Sequence, residues 1–184
     1  MAVRMRQLDG KRQGLVLCVP ECSELRFRQE MMADAETMSY NKGYAPFPGY
    51  DPVTGCIDFP EDRWADWHCR WIDREPERFY AYLCRESDGV PVGEVNYHAS
   101  GEEGVCEIGI VLHAPFRGMG YGGPGLWLLC ARAFLQPGIR ALRNEFESTR
   151  LSALRIHQRM GFVVEGEQNG LVTLQLNRCD VESI

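Results

Sequence analysis

The chain has 184 residues, of which 45% are hydrophobic and 25% are charged, and this is the composition of an ordinary globular domain. A chain of this length is expected to form one domain with a sizeable core. The formal net charge of −6 and the lack of a basic stripe argue against nucleic acid as a partner. No apolar run is long enough to span a bilayer, so no membrane partner is expected.

The eight cysteines and four histidines predict neither disulfides nor a metal site. No C-x-x-C pair occurs, and several cysteines lie within apolar runs such as Leu17-Cys18-Val19, a pattern typical of buried free thiols. The first 14 residues are basic and polar without the apolar core of a signal peptide, and we treat them as a candidate flexible segment. These features predict a reduced protein in the cytoplasm.

The first half of the chain predicts one strand and three helices. The predicted elements are a strand over 15–19, helices over 24–32 and 34–40, and a helix that begins at Pro60. Asp34 is a plausible cap for the second of these helices. Trp64, Trp67 and Trp71 are spaced three and four residues apart, so they share one face of the third helix. A stripe facing the core is the default interpretation, and a wall of the substrate site is the alternative.

The segment 41–60 has the composition of a loop, with aromatic side chains interspersed. A loop of this length is uncommon in a compact domain and is often a binding loop or a lid. The candidate substrate residues are Tyr40, Asn41, Tyr44 and Tyr50. Asp51 and Asp58 beside them favour a small cationic molecule. The alternative is that the aromatic side chains cap the end of the sheet.

The second half of the chain predicts consecutive antiparallel strands and then alternating helices and strands. Strands are expected over 79–85, 92–99, 105–112 and 141–147, and helices over 126–134 and 151–160. Asn169-Gly170 predicts a tight hairpin between two last strands, 162–165 and 171–176.

The most specific motif is the run Arg117-Gly118-Met119-Gly120-Tyr121-Gly122-Gly123, which lies between a predicted strand and a predicted helix. Glycines let the backbone come close to a ligand, and the N-terminus of a helix attracts anions. The run therefore predicts a seat for a phosphate or a pyrophosphate.

Gly118, Gly120 and Gly123 also satisfy the dinucleotide pattern G-x-G-x-x-G, which is weak evidence on its own. That interpretation requires a doubly wound parallel sheet with the glycines usually in its first βα turn. The run comes too late in the chain for such a domain to be completed, so a nucleotide-dependent oxidoreductase is disfavoured. A triphosphate loop is also disfavoured, because no Lys-Ser/Thr follows the last glycine.

The pattern Arg117-x-x-Gly120-x-Gly122 resembles the acetyl-CoA pyrophosphate loop of the GNAT N-acetyltransferases. The downstream segment 152–162 resembles the second conserved block of that family, at the right separation from the first. Its matching positions are Ala153, Gly161 and Phe162. The resemblance extends from about Val90 to Asn177.

The resemblance implies a single GNAT-like domain over 1–184 with an α/β (α+β) fold. The implied sheet is mixed and mostly antiparallel, has six to seven strands, is splayed at its centre and is flanked by helices. Acetyl-CoA is the implied cosubstrate. The implied cofactor contacts are the main chain of Ile110, Val111 and Leu112, the loop residues Arg117, Gly118, Met119, Gly120, Tyr121, Gly122 and Gly123, and Arg150, which stands where the family has Asn.

The implied reaction is direct transfer of an acetyl group to a primary amine of a small molecule or of a protein N-terminus. Such an amine has a pKa of ~10.4 and must lose a proton before it attacks. Glu107 and Glu94, which both lie within strands, are the candidate bases. His157 stands where the family has the Tyr that protonates the departing thiolate, so it is either that general acid or a packed helix residue. A non-catalytic acyl-CoA-binding module is the alternative function, and a homodimer stays open.

Overall fold

The computed structural model describes residues 6–42 and 47–181, so the predicted substrate residue Tyr44 lies outside the described residues. The strands are β1 (Arg6–Arg12), β2 (Leu15–Val19), β3 (Arg78–Arg85), β4 (Pro91–Ala99), β5 (Val105–Leu112), β6 (Ala141–Glu147), β7 (Val163–Gln168) and β8 (Leu171–Asn177). The helices are α1 (Arg26–Ala33), α2 (Trp64–Trp71), α3 (Gly122–Phe134) and α4 (Leu151–Arg159).

Within the described ranges, the strands form one sheet of eight, in the order β1-β2-β3-β4-β5-β6-β8-β7. Neighbouring strands are antiparallel except β5 and β6, which are parallel. The mixed, mostly antiparallel sheet confirms the predicted fold class. The number of strands exceeds the expected six to seven because β1, in the segment treated as candidate flexible, pairs with β2 at the sheet edge.

The sheet opens between β5 and β6. These two strands pair at three positions, Val105 with Ala141, Cys106 with Leu142, and Glu107 with Arg143. Beyond them β5 remains paired with β4 and β6 remains paired with β8 to the ends of both strands. The two halves of the sheet therefore diverge after Glu107, as the splayed architecture predicted.

Helices cover the two faces of the sheet. Arg28 of α1 binds Tyr80 and Glu94 on one side, which we call the α1 face. Gly125 of α3 packs against Leu83 on the other side, which we call the α3 face. Because side chains alternate along a strand, every second residue of β4 and its partner on β5 share the α1 face. These pairs are Glu94 with Val111, Asn96 with Gly109, and His98 with Glu107.

The tryptophans of α2 form the predicted stripe toward the core. Trp64 and Trp67 are buried, with 8% and 9% of their surface exposed, and Trp71 is half-buried against the ring of Tyr80. The preceding segment differs from its prediction, because a helix over 34–40 is replaced by a 3-10 turn at Thr37–Asn41. The N-cap residue of this turn is Glu36 and not Asp34 as predicted, although Asp34 Oδ2 accepts a hydrogen bond from the Thr37 backbone N–H at 3.0 Å.

All eight cysteines are free thiols, as the sequence predicted. Four of them are buried, namely Cys18, Cys84, Cys106 and Cys130. The hairpin at Asn169-Gly170 is also confirmed, since both residues have positive φ angles, +54° and +78°, and join β7 to β8.

Gly93 of β4 lies tightly against the backbone of β5 and generates a stability prediction. A Cβ at this position would lie 2.3 Å from the carbonyl oxygen of Val111 and 3.0 Å from the Cα of Leu112. Gly93→Ala is therefore expected to lower the free energy of unfolding by about 1–3 kcal/mol through overpacking. Urea denaturation measures this loss.

The control is Gly138→Ala, because a Cβ there would meet no atom within 4 Å. Its effect is expected to stay within about 0.5 kcal/mol. Equal stabilities for the two variants would contradict the close contact between β4 and β5.

Candidate functional site

The glycine loop 117–123 connects the end of β5 to the first turn of α3. Gly118 and Gly120 have φ angles of +76° and +85°, which glycine adopts without strain. Helix α3 begins without a side-chain cap, and its first N–H groups have no partner within the helix. A Cβ at Gly118, Gly120 or Gly123 would meet no atom within 4 Å. The loop thus presents open backbone donors, and this arrangement fits a pyrophosphate.

Arg117 fastens this loop to the turn that follows α1. Its Nε donates to the Leu112 carbonyl at 3.2 Å, its Nη1 to the Glu36 carbonyl at 2.9 Å, and its Nη2 to the Thr37 carbonyl at 2.6 Å. The guanidinium therefore positions the loop. Direct contact between Arg117 and a cofactor stays a prediction.

The last residues of β5 line the opening of the sheet. Ile110, Val111 and Leu112 are all partly exposed, and none of them pairs with β6 in the ladder described above. Backbone groups along such a strand edge can bind an extended ligand as an added strand would bind. The stretch is therefore suited to the amide groups of a pantetheine arm, as the resemblance implied.

Glu94 is a buried, paired carboxylate. Its side chain is 4% exposed, and both carboxylate oxygens accept hydrogen bonds from Arg28 Nη1 at 2.5 Å. The Tyr80 hydroxyl also donates to Glu94. Burial, followed by the charge of Glu94, raises the pKa of Tyr80 well above its usual value. The negative charge of Glu94, one of the two predicted bases, is thus balanced by Arg28, and the Tyr80 hydroxyl also holds its carboxylate.

Arg28 is stabilised in its charged form by the same cluster. Burial opposes its charge, but the attraction of Glu94 and Tyr80 outweighs burial and raises the pKa of Arg28. Its Cζ also lies 4.5 Å from the centre of the Trp67 ring, within cation–π range.

Glu107, the other predicted base, lies at the point where β5 parts from β6. Its carboxylate is 50% exposed, and its Oε2 lies 3.6 Å from His98 Nε2 on the paired strand β4. Among the described residues, no arginine pairs with it as Arg28 pairs with Glu94, because Arg143, its neighbour in register, is hydrogen-bonded to Glu102 at 2.6 Å. Arg143 still contributes positive charge nearby. Glu107 is therefore accessible, and Glu94 is not.

His157 lies inside the protein, with 2% of its surface exposed. Its Nδ1 faces the Ala153 carbonyl at 2.8 Å, so this nitrogen carries the proton, and its Nε2 accepts from Asn144 Nδ2 at 2.9 Å. Burial, partly opposed by the hydrogen bond to Ala153, lowers the pKa of His157. The contacts favour the packed-residue interpretation over the general-acid interpretation.

Arg150, which follows β6, lies over the ring of Tyr40 in the turn after α1. The Cζ of Arg150 lies 5.1 Å from the centre of the Tyr40 ring and 5.5 Å from that of Phe146 at the end of β6. Burial, and after it the charge of Glu94, raises the pKa of Tyr40 to about 12. The structure therefore brings together one predicted cofactor residue and one predicted substrate residue.

The remaining described substrate candidates, Asn41 and Tyr50, make hydrogen bonds within their own loop. Tyr50 donates to the Asn41 carbonyl, and Asn41 Nδ2 donates to the Gly55 carbonyl at 3.4 Å. Tyr50 also forms an isolated antiparallel bridge with Ile57. These contacts organise the loop, and a role for Asn41 or Tyr50 in binding substrate stays a prediction.

Three residues of the α1 face were not singled out in the sequence. These are Arg28, Asn96 and His98. The Asn96 carboxamide covers Gly109, since a Cβ on that glycine would lie 2.7 Å from Asn96 Nδ2. The alternation of Glu94, Asn96 and His98 along one strand was the available signal, because it places three polar groups on one face.

The Arg28–Glu94 pair generates a second stability prediction. Arg28→Met leaves a buried carboxylate without its cation, so the free energy of unfolding is expected to fall by about 3–5 kcal/mol. The double variant Arg28→Met/Glu94→Gln removes both charges and is expected to recover at least half of this loss. Chemical denaturation of both variants provides the measurement.

Arg26→Met is the matched control on the same helix, because Arg26 is 70% exposed and meets Glu30 at 3.5 Å. Its cost is expected to stay below about 1 kcal/mol. A double variant as unstable as Arg28→Met alone would show that charge pairing is not what holds this cluster.

His157 generates a prediction about pH. The folded state lowers the pKa of His157 from its ordinary 6.5, so the unfolded chain takes up the proton first as the pH falls. The contribution of His157 to stability is therefore complete above that value and is lost as the pH falls below it. His157→Gln is expected to flatten the decline in melting temperature between neutral pH and about pH 5. An equally steep decline in the variant would contradict the neutral, buried state of His157.

Across residues 6–42 and 47–181, no group of three or more His, Cys, Asp or Glu side chains could hold a metal ion. In the same part of the chain, no helix is long and apolar enough to cross a membrane.

Solved structures with this fold include several acetyltransferases. The spermidine N-acetyltransferase of Vibrio cholerae, in complex with CoA and spermine, has a TM-score of 0.72 at 15% identity and covers 92% of this chain and 98% of its own. Mycobacterium smegmatis RimJ, in complex with CoA-disulfide, has a TM-score of 0.70 at 14% identity, with 92% and 84% covered. A GNAT acetyltransferase from Bacillus anthracis gives 0.67 at 13% identity, with 95% and 98% covered. At these identities the likeness establishes the fold.

Comparison with curated proteins gave no match. The family described as acetyltransferase (GNAT) domain matches residues 22–163, a span that contains the α1 face, the opening between β5 and β6, and the glycine loop. The chain belongs to the GNAT acetyltransferase family.

Proposed function

We propose that this protein transfers an acetyl group from acetyl-CoA directly to a primary amine of a small molecule or of a protein N-terminus. The observation that carries the proposal is the opening between β5 and β6, which leads to the uncapped start of α3. One continuous path thus offers strand backbone for the pantetheine arm and helix N–H groups for the pyrophosphate. Solved relatives of this fold were crystallised with CoA or acetyl-CoA.

The amine would approach from the α1 face. This face carries the accessible carboxylate of Glu107 beside the diverging part of β5, and aromatic rings of α2 and β3 lie next to it. A cationic amine is suited to such surroundings, because aromatic rings and carboxylates both attract it. Tyr40 and its neighbour Arg150 would limit the size of the acceptor.

Of the two predicted bases, Glu107 is favoured over Glu94. A base must be able to take up a proton, and a carboxylate held by an arginine and a tyrosine hydroxyl is stabilised as an anion. Glu94 would therefore anchor the α1 face, while Glu107 would act on the amine at the cleft. Backbone N–H groups of β5 would stabilise the oxyanion that forms when the amine attacks.

A non-catalytic acyl-CoA-binding module is the second candidate. One observation favours it: His157, at the position of the family's general acid, is buried with both ring nitrogens engaged. The two functions differ in turnover. Release of CoA in the presence of spermidine or of a peptide with a free N-terminus supports the transferase, and acetyl-CoA binding without transfer to any such amine supports the module.

The first experiment is a calorimetric titration of the reduced protein with acetyl-CoA, with NADH run in parallel. Binding of acetyl-CoA near one-to-one without an NADH signal is the expected result. NADH binding would support the dinucleotide interpretation of the loop. If acetyl-CoA produces no heat of binding and no thermal stabilisation, the proposed function is overturned.

Gly120→Glu tests the loop directly. A carboxylate would enter the open space above Gly120 and repel the pyrophosphate, so the Kd for acetyl-CoA is expected to rise at least ~100-fold. The matched control is Gly101→Glu in the turn between β4 and β5, which also has a positive φ angle, +94°, and open surroundings. Both variants bear the same backbone strain, so loss of affinity in Gly120→Glu alone assigns the loop. Retained affinity would contradict that assignment.

A further inference from the structure

Beyond the cofactor path, the α1 face holds an imidazole beside a carboxylate at the point where the sheet divides. His98 of β4 and Glu107 of β5 are register partners, and His98 Nε2 lies 3.6 Å from Glu107 Oε2. Their side chains are 40% and 50% exposed, so a ligand on this face can reach both. Position 107 is also the last at which β5 pairs with β6.

The surroundings of His98 fix which nitrogen can accept a proton. Its Nδ1 lies 3.2 Å from the Ala99 carbonyl, and a carbonyl oxygen only accepts, so Nδ1 carries the proton of the neutral ring. The lone pair is then on Nε2, the nitrogen that faces Glu107. The edge of the imidazole also packs against Trp71, with ring centres 6.1 Å apart and planes at 78°. The ring is therefore oriented from two sides.

From this geometry we propose that His98 is the general base of the transfer and that Glu107 is its positioning partner. The inference rests on the proposed function and revises the role of Glu107 within it. An imidazole is better matched than a carboxylate to removing a proton near neutral pH. The Glu107 carboxylate lies 3.6 Å from that same nitrogen, so it can attract both the ammonium group of the acceptor and the imidazolium that forms.

The distances suit this role. Gly109 follows Glu107 by two residues on the same face, which places it ~6.7 Å further along the strand, within the unpaired stretch of β5. A thioester bound along Ile110–Leu112 ends near Gly109, so His98 acts on the attacking amine directly or through one water. The Asn96 carboxamide, which covers Gly109, lies between His98 and Glu94 on β4 and adds a polar contact for the amine.

The chemical step balances without a further reactant. The ammonium group of the acceptor gives a proton to His98 Nε2, and the nitrogen lone pair that remains forms the bond to the thioester carbonyl carbon. The carbon–sulfur bond then breaks with its electron pair on sulfur. The thiolate of CoA takes up the second amine proton, and His98 returns its own proton to solvent.

The charged groups around His98 come from three strands. Arg78 of β3 is its register partner on one side and stacks over Trp71 at 5.2 Å. Glu107 of β5 is its partner on the other side, and Arg143 of β6 adjoins Glu107. The packed helix α2 contributes the uncharged Trp71. Among the described residues, Glu107 is therefore the carboxylate that lies within 4 Å of the His98 ring.

The test compares His98→Gln with Glu107→Gln in the full chain. CoA release is followed with acetyl-CoA and spermidine or a peptide amine, and without any amine, where water is the acceptor. His98→Gln is expected to lower kcat/KM by ~100-fold and Glu107→Gln by ~10-fold, both with unchanged acetyl-CoA affinity. His68→Gln is the matched control, because His68 Nε2 contacts the Pro20 carbonyl at 3.2 Å and glutamine keeps a donor there.

The pH profile separates a base from a structural residue. Activity of the wild-type protein falls at acid pH as the base becomes protonated. In Glu107→Gln, where His98 is still the base, the acid limb is retained. In His98→Gln the acid limb disappears from the residual activity. If His98 had only a structural role, the acid limb would remain in the profile of His98→Gln.

Three results would overturn the inference, and they differ from one another. Loss of activity in Glu107→Gln with His98→Gln within ~3-fold of wild type would make Glu107 the base and leave the proposed function intact. Acetyl-CoA binding without aminolysis or hydrolysis in the wild-type protein would remove the base and favour the module. Failure to bind acetyl-CoA would overturn the proposed function together with the inference.

Discussion

The early separation of β5 from β6 is the constraint on which the rest of the structure depends. Backbone N–H and C=O groups inside a sheet are normally paired, because leaving them unpaired away from water is costly. Here the ladder between these strands ends after Glu107, while both strands continue with their other partners. The fold therefore holds open a strand edge near the centre of the domain. A ligand that carries amide groups along its length can supply the missing partners.

Two arginines keep the parts around this opening in place. Arg117 joins the end of β5 to the turn after α1 through carbonyls that lie up to 81 positions away in sequence, and Arg28 joins α1 to Glu94, 66 positions away. The first arginine fixes the glycine loop, and the second fixes the α1 face. Both sides of the cleft are thus set by interactions between distant segments of the chain.

The sequence predicted those features whose cause is local. Glycines that need positive φ, the Asn169-Gly170 turn, and tryptophans spaced three and four apart each depend on a few neighbouring residues, and each was confirmed. The family blocks then predicted the order of elements and the splayed sheet. Edge strand β1 was not predicted, because a polar strand at a sheet edge lacks the alternation that periodicity detects.

The roles within the site could not be predicted in the same way. Two strand glutamates were candidate bases in the sequence, and only the fold shows that Glu94 is buried against Arg28 while Glu107 is accessible beside His98. His157 is similar, since the family resemblance left a general acid and a packed helix residue open, whereas the fold shows Asn144 and Ala153 engaging its ring. The chemistry of an ionisable group depends on its partners from other helices and strands. Those partners cannot be read from the local spacing of residues in the sequence.

A buried His157 in place of the family's tyrosine has a limited consequence for the proposed acyl transfer. A thiol has an ordinary pKa of ~8.5 and a primary amine one of ~10.4, so a thiolate leaves at neutral pH with modest help, whereas the amine is almost wholly protonated before it attacks. The larger demand is therefore deprotonation of the acceptor. In the proposed reaction that demand falls on the α1 face, where His98 and Glu107 lie, and not on the α4 side, where His157 is buried. A chain that keeps the base and the cleft can replace the family's tyrosine with a core residue and still catalyse the transfer.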